Sequence, residues 1–146
     1  MNRSYSNLIR RSTFEERFNY LRLLGSAGKD TFGFDRYLNQ DFYRSREWRQ
    51  TREFVIVRDE GCDLGVPGYE IHSDLVVHHM NPMTPEDIIH SNPNILNPEF
   101  LITTTKQTHS AIHYGDARHT PKSFTPRKPG DTDLWRTMYK RFVTPV

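Results

Sequence analysis

The sequence is poor in cysteine and has no long apolar runs. Cys62 is the single cysteine among 146 residues, so no disulfide can form within the chain, and one thiol alone cannot make a thiolate zinc site. No apolar stretch approaches the length of a membrane span, and no signal-peptide apolar region follows the polar start at residues 1–4. We therefore expect a cytoplasmic protein with no membrane partner, in which any metal binds mainly to histidine and oxygen.

Lysine is also scarce, since fifteen of the twenty basic residues are arginine, and this modestly favours phosphate contacts. Residues 1–58 and 118–146 each carry a net charge of +5, whereas residues 59–117 carry −8 with histidines neutral. This distribution suits two basic flanks that grip a polyanion around a centre that holds a cation, although solvated charged faces would give the same pattern. With 35% hydrophobic residues, the chain can bury one modest core with terminal extensions.

The best indication of function is a set of four histidines. His78 and His79 end an apolar, strand-like run, and the Asn81-Pro82 pair that follows can end the strand. Two further histidines, His109 and His113, lie four apart in a helix-like stretch, so their rings share one helix face at metal-ligand spacing. A site needs a third ligand, which His78 could supply, leaving His79 for another task.

Capping signatures predict the helices. A Thr13-x-x-Glu16 box begins a helix near residues 13–24, and Ser45 caps a second helix that turns Trp48, Thr51 and Val55 inward. The other face of that second helix, in solvent or on phosphates, carries Arg44, Arg46, Arg49 and Arg52.

The centre of the chain predicts a hairpin followed by a helix. Residues 69–71 and 75–78 form two short strands around His72-Ser73-Asp74, and a short helix follows the cap Thr84. A Thr104-x-x-Gln107 box begins the helix that carries His109 and His113 and ends at Gly115. Beyond a proline-rich connector, an amphipathic terminal helix has a basic face of Arg136, Lys140 and Arg141.

Strand, strand and helix with histidines in these places resemble the ββα-metal core of HNH endonucleases. The residues that carry the resemblance, His78-His79-Met80-Asn81-Pro82 and the stretch 108–115, look most like HNH proteins of phages and prophages. The similarity covers roughly residues 30–117. It implies an α+β fold in which a short β-hairpin packs on a metal-binding helix between flanking helices. The expected organisation is a helical extension at 1–40, the nuclease core at 41–117, and a basic arm and helix at 118–146.

Two features depart from the HNH pattern. Many HNH proteins bind a structural zinc through two Cys-x-x-Cys pairs, but here Cys62 and Gly65 occupy one pair of places and Thr105 and Thr108 the other. We therefore expect no such zinc. The usual place of the middle asparagine holds Phe100, and the nearest asparagine, which the resemblance makes a brace of the catalytic loop, is Asn97.

The resemblance also implies a role for each histidine of the site. His78 corresponds to the strand-end metal ligand, His79 to the general base and His109 to the helix ligand, while His113 resembles an extra ligand of colicin-type nucleases. Imidazole-rich ligation suits zinc, nickel, cobalt or manganese, and magnesium remains possible if water and phosphate fill the open positions. The remaining histidines are expected at the surface; they are His72, His90 and His119.

The function that this set implies is metal-dependent hydrolysis of DNA phosphodiester bonds, by nicking or double-strand cutting. A phage-encoded enzyme of this kind would act in the host cytoplasm, in genome packaging with packaging proteins or as part of a mobile element. The alternative is a non-catalytic nucleic-acid-binding or phage assembly protein that keeps the fold and a structural metal. A third possibility, a structural zinc protein without DNA affinity, conflicts with the basic flanks.

Overall fold

The computed structural model of the protein describes residues 2–23 and 36–120, which form a mixture of helices and two small antiparallel sheets. The predicted α+β class is therefore confirmed. The helices are α1 Tyr5–Leu8, α2 Phe14–Leu21, α3 Arg36–Arg44, α4 Arg46–Arg58, α5 Pro85–Ile89 and α6 Lys106–Tyr114. The strands are β1 Cys62–Asp63, β2 Tyr69–Glu70, β3 Leu75–His79 and β4 Leu101–Thr105, and 3-10 turns span Pro93–Leu96, Pro98–Phe100 and Ala117–His119.

The predicted hairpin between residues 69–71 and 75–78 is wrong. Strand β2 pairs back onto β1, while β3 pairs with β4 in the register His78 to Ile102 and His79 to Leu101. Residues 101–105 were not predicted to form a strand. Leucine, isoleucine and three threonines favour a strand when both faces are covered, and all five residues are buried.

The β3–β4 sheet lies between two groups of apolar side chains. Alternation along β4 turns Ile102 toward one group and Leu101 toward the other. The first core cluster joins α1, α2 and α6 and consists of Leu8, Leu21, Leu23, Met80, Ile102 and Ile112. The second joins α3, α4 and the turns before β4 and consists of Phe42, Trp48, Val55, Val77, Ile95 and Leu101. Residues from the predicted extension at 1–40 therefore pack into the same core as the strands and helix that follow.

The helix caps agree largely with the sequence. Thr13, Ser45 and Thr84 each accept a hydrogen bond from the third backbone N–H beyond them, as predicted. Helix α2 ends at Leu21, before the expected residue 24, because Arg22 has an extended ψ of 133°. Helix α3 was not predicted, and the expected boundary at residue 40 falls inside it.

Helix α6 begins one residue later than predicted. Its N-cap is Thr105, whose hydroxyl oxygen accepts the Thr108 N–H and which is also the last residue of β4. Gly115 ends the helix as expected, with a left-handed φ of 65°. A Cβ at this glycine would stand 2.9 Å from the Leu23 carbonyl oxygen, so both conformation and space require glycine.

The buried carboxylate of Asp63 links the first turn of α6 to β1 through hydrogen bonds. Asp63 Oδ2 accepts hydrogen bonds from the Thr105 N–H at 3.1 Å, the Thr105 hydroxyl at 3.0 Å and the Thr108 hydroxyl. Asp63 Oδ1 accepts the Gly65 N–H at 2.9 Å. Gly65, Thr105 and Thr108, three of the four positions that the sequence resemblance compares with zinc-binding cysteines, thus meet around one aspartate, which joins β1 to α6.

A second set of polar contacts, made by Arg58, lies at the end of α4. Arg58 pairs with Asp59 at 2.8 Å and donates hydrogen bonds to the carbonyl oxygens of Pro98 and Leu101 at 2.6 and 2.7 Å. Its guanidinium carbon lies 3.8 Å from the centre of the Tyr5 ring. This one side chain therefore contacts α1, α4 and the entry to β4.

The predicted terminal helix, with Arg136, Lys140 and Arg141, lies outside the described residues. Among residues 2–23 and 36–120, every helix is too short or too polar to cross a bilayer.

Candidate active site and metal centre

Three histidines from β3 and α6 meet at one end of the sheet. The last part of β3 supplies His78, and the i, i+4 spacing on α6 turns His109 and His113 toward it. One ring nitrogen from each histidine lies within 4.8 Å of the others. The Nε2 atoms of His109 and His113 are 3.1 Å apart. Two nitrogens about 2.0–2.1 Å from a shared tetrahedral zinc would be separated by about 3.4 Å, so the Nε2 atoms of His109 and His113 already lie near the spacing of a ligand pair.

His78 provides the test of whether these residues fit a metal. Its side chain is 1% exposed, and its Nε2 atom is buried with no hydrogen-bond partner among the described residues. A buried polar atom without a partner costs free energy, so native proteins usually satisfy it. A cation held by His78, His109 and His113 would satisfy this atom, and the three residues therefore fit a divalent metal.

The histidines of this cluster favour their neutral form. Burial, together with the imidazoles of His109 and His113, lowers the pKa of His78 well below its usual range. Burial and the neighbouring His113 lower the pKa of His109 to about 4, and burial lowers the pKa of His113. Only neutral imidazole has a free lone pair for a metal, so at neutral pH no proton has to be displaced before binding.

His79 points to the other face of the sheet, as the alternation of a strand requires. Its ring stacks on Trp48 with centroids 5.1 Å apart and planes 17° apart, and Phe42 lies 6.0 Å away. Its Nε2 lies 2.9 Å from the Ile95 carbonyl oxygen. Because a carbonyl can only accept, Nε2 carries the hydrogen and Nδ1 retains the lone pair. Burial lowers the pKa of His79 to about 4, partly offset by the Ile95 carbonyl.

Asn92 holds the turn that presents the Ile95 carbonyl. Its side-chain oxygen accepts the Asn94 N–H at 3.1 Å, and its amide donates to Asp87 Oδ1 at 3.0 Å. Its carbonyl oxygen accepts the Ile95 N–H at 3.2 Å. Asn92 was not predicted as a site residue, although asparagine before proline, as in Asn92-Pro93, is a common turn signal.

Asn97 has a different place from the one predicted for it. It is exposed, and its side-chain oxygen accepts the Glu99 N–H at 3.0 Å, which caps the turn Pro98–Phe100. It does not line the cavity beside the histidines. The local hydrogen bond explains this placement, because asparagine readily caps its own turn. The asparagine that supports the turn beside His79 is Asn92.

All four histidines border one cavity of about 750 Å³. His78 and His79 reach it from opposite faces because the cavity lies along the outer edge of β3, the edge that does not pair with β4. The three-histidine cluster and His79 therefore border the same space.

The predicted basic face of α4 is present. Arg46 and Arg49 are exposed on α4, as is Arg44 at the end of α3, whereas Arg52 is half-buried and lines the cavity. Within the described part of the chain, no ion pair with an acidic side chain engages these four arginines. The predicted surface positions of His72 and His90 are confirmed, since both are exposed.

Comparison of the chain with protein-family models, with curated proteins and with solved structures gives no match.

Proposed function

We propose that the protein is a metal-dependent endonuclease of the HNH type that hydrolyses DNA phosphodiester bonds. The observation that carries the proposal is the meeting, at one cavity, of three histidines that favour the neutral form and a fourth histidine whose tautomer is fixed by a carbonyl. The order strand β3, strand β4, helix α6 supports it, because HNH nucleases place their ligands and base on the same elements.

His79 would act as the general base. Its Nδ1 lone pair can take a proton from a water molecule as the water oxygen bonds to phosphorus and the bond from phosphorus to the 3′ oxygen breaks. Burial keeps this imidazole neutral but also makes it a weak base. The negative charge of the bound phosphodiester raises the basicity of a neighbouring imidazole, so substrate binding itself strengthens the base.

The ligands would be His78, His109 and His113. When bound, a divalent metal supplies positive charge that stabilises the phosphate and the leaving oxygen. The chain's own contribution is rigidity: the Asp63 cluster fixes the first turn of α6, and Asn92 fixes the turn that orients His79. Preorganised groups of this kind need little rearrangement during reaction.

DNA would reach this centre along the exposed arginines of α3 and α4. Arg44, Arg46 and Arg49 face solvent, and Arg52 stands at the rim of the cavity. Contacts of this kind position the backbone without reading sequence. A phage-encoded nuclease of this design would work in the host cytoplasm during genome packaging with packaging proteins, or as part of a mobile element.

Supercoiled plasmid provides the test. The purified protein should nick or cut it with at least one of Zn²⁺, Ni²⁺, Co²⁺, Mn²⁺ and Mg²⁺, and excess EDTA should stop the reaction. His79→Ala should abolish cleavage and keep metal affinity, because a base contributes to the transition state and not to ligation. His72→Ala, which removes an exposed histidine, should cut normally. Turnover by His79→Ala at the wild-type rate would remove this residue from the mechanism.

Metal titration by calorimetry distinguishes the proposed metal ligands from the proposed general base. His78→Ala and His109→Ala should each weaken metal binding and cleavage together, and His113→Ala should have a similar or smaller effect. If all three variants bind metal as the wild type does, the ligand set is wrong. If wild-type protein binds metal and DNA without turnover, the alternative of a non-catalytic DNA-binding protein with a structural metal replaces the nuclease.

A further inference from the structure

The cavity extends well beyond the histidines, and most of its wall is apolar. One side is the free edge of β3 with Leu75 and Val77, and another is the loop containing Pro82 and Met83. Its volume of about 750 Å³ lies within the range of about 300–1,000 Å³ that is typical of small-ligand pockets. The phosphate in the proposed reaction is small and charged, so it accounts for the histidine end of the cavity but not for the apolar remainder.

The charge of the cavity wall also differs from that expected of a surface that binds successive phosphates. Apart from the histidines, Arg52 is the one basic side chain among the described residues that line the cavity. The exposed arginines Arg46 and Arg49 lie outside it. Phosphates would therefore follow the surface of α4, while the interior of the cavity suits an uncharged part of the substrate.

An aromatic ring is fixed at the cavity wall. Tyr43 is 43% exposed, and its ring packs edge-on against Trp48 at 5.2 Å and against Phe42 at 5.2 Å. Its centroid is 6.4 Å from that of His79. A ring held on one side and open on the other gives a planar group a surface on which to stack.

Polar groups stand next to this ring. Asn39 and Gln40, on the preceding turn of α3, line the same cavity. Side-chain amides offer both a donor and an acceptor, which matches the edges of nucleobases. An apolar slot, an exposed ring and neighbouring amides together form a recognition surface for a base.

We propose that this cavity binds one unstacked nucleobase adjacent to the scissile phosphate. The inference rests on the proposed nuclease function and specifies its substrate: DNA that has an unpaired nucleotide at the cleavage position, such as a single strand, a gap or a bulge. A paired base must leave the stack to enter, which is unfavourable in a matched duplex and much less so where the base is already unpaired.

Base binding can be measured without cleavage. A single-stranded tetranucleotide containing 2-aminopurine, mixed with the protein in EDTA, should lose fluorescence as the base stacks on Tyr43. Tyr43→Ala should weaken this binding about tenfold, whereas Tyr43→Phe, which keeps the ring, should remain within about twofold of the wild type. Phe54→Ala provides the matched control, because Phe54 is another exposed aromatic residue, 58% exposed on α4, that does not line the cavity. Equal affinity of Tyr43→Ala and wild type would overturn the proposal.

Cleavage then tests the substrate class. Two duplexes of one sequence, fully paired or with a two-nucleotide bulge at the cut site, should differ at least about tenfold in kcat/KM in favour of the bulge. Equal kcat/KM values on the two duplexes, together with an equal loss of kcat/KM on both in Tyr43→Ala, would overturn the proposed base-binding pocket. The proposed nuclease function would be unaffected by that result. Absence of cleavage with every metal, together with Tyr43-dependent quenching, would instead refute the nuclease and support a pocket for an unpaired base.

Discussion

Asp63 should be among the residues most important for the stability of the region that positions His109 and His113. Its carboxylate is 1% exposed and accepts the backbone N–H groups of Gly65 and Thr105, besides two threonine hydroxyls. In Asp63→Ala both N–H groups lose their acceptor, at about 1–3 kcal/mol each, while the hydroxyls can rotate to other partners. Release of the buried charge offsets part of this loss, since burial raises the pKa of Asp63. We expect a net destabilisation of about 3 kcal/mol.

Asp63→Asn should have a smaller effect for a geometric reason. An amide keeps one oxygen acceptor, but whichever way it turns, its NH₂ group faces either the Gly65 or the Thr105 N–H. One opposed donor should cost about 1–2 kcal/mol. The series wild type, asparagine, alanine should therefore decrease stepwise in stability.

Urea unfolding at pH 7 in EDTA measures this series. With a slope of about 2 kcal/mol per molar urea, Asp63→Ala should lower the midpoint by about 1.5 M. The control Glu86→Ala, at an exposed position, should stay within about 0.5 kcal/mol of the wild type. If Asp63→Ala unfolds at the same urea concentration as this control, the carboxylate does not hold β1 to α6.

Three other predictions concern the site. In metal-free protein His79 titrates at about 4 when folded and at 6.5 when unfolded, so the unfolded state binds the proton first and stability falls as pH drops below 6.5. Between pH 8 and pH 5 the titration of His79 should lower the free energy of unfolding by about 2 kcal/mol. In His79→Gln, urea unfolding should show a pH dependence that lacks this contribution. Asn92→Ala should lower kcat about tenfold with unchanged metal affinity by calorimetry, because it frees the Ile95 carbonyl; an unchanged kcat would contradict that role. Replacing Arg46 and Arg49 by glutamine should reduce the slope of log affinity against log salt by about 1.8 for duplex DNA in fluorescence anisotropy, and an unchanged slope would mean that they do not contact phosphates.

The sequence indicated the site better than the fold, for reasons that particular residues show. The spacing of His109 and His113 is a property of one helix turn, so local pattern alone was enough to place them on one face. The strand that pairs with β3 lies far from it in sequence, so the local pattern does not identify it. Thr104 and Thr105 in addition fit both a strand, because they are β-branched, and a helix N-cap. Pairing with β3 extends the strand through Thr105, and Thr105 is also the N-cap of α6. Whether the three histidines bind metal stays a prediction.

Other parts of the site left no readable trace in the sequence. The acceptor that orients His79 is a backbone carbonyl, and any residue at position 95 would provide one. The cavity is likewise formed by segments distant in sequence, so the closeness of Tyr43 to His79 depends on how α3 packs. Asn97 was favoured because it is the asparagine nearest in sequence to Phe100, whereas Asn92 lies in the turn whose Ile95 carbonyl contacts His79.

The position of Arg58 has a consequence for how the chain opens. Its guanidinium hydrogen-bonds Asp59 and two carbonyls at the entry to β4, and its face is covered by Tyr5. Loss of α1 would expose this partly buried charge further to water and weaken the bonds that anchor the strand. Removal of residues 1–8 should therefore speed hydrogen exchange at the β4 amides as well as near the new terminus. The first helix, although it lies far from the histidines in sequence, would then belong to the same cooperative folding unit as the strand beside them.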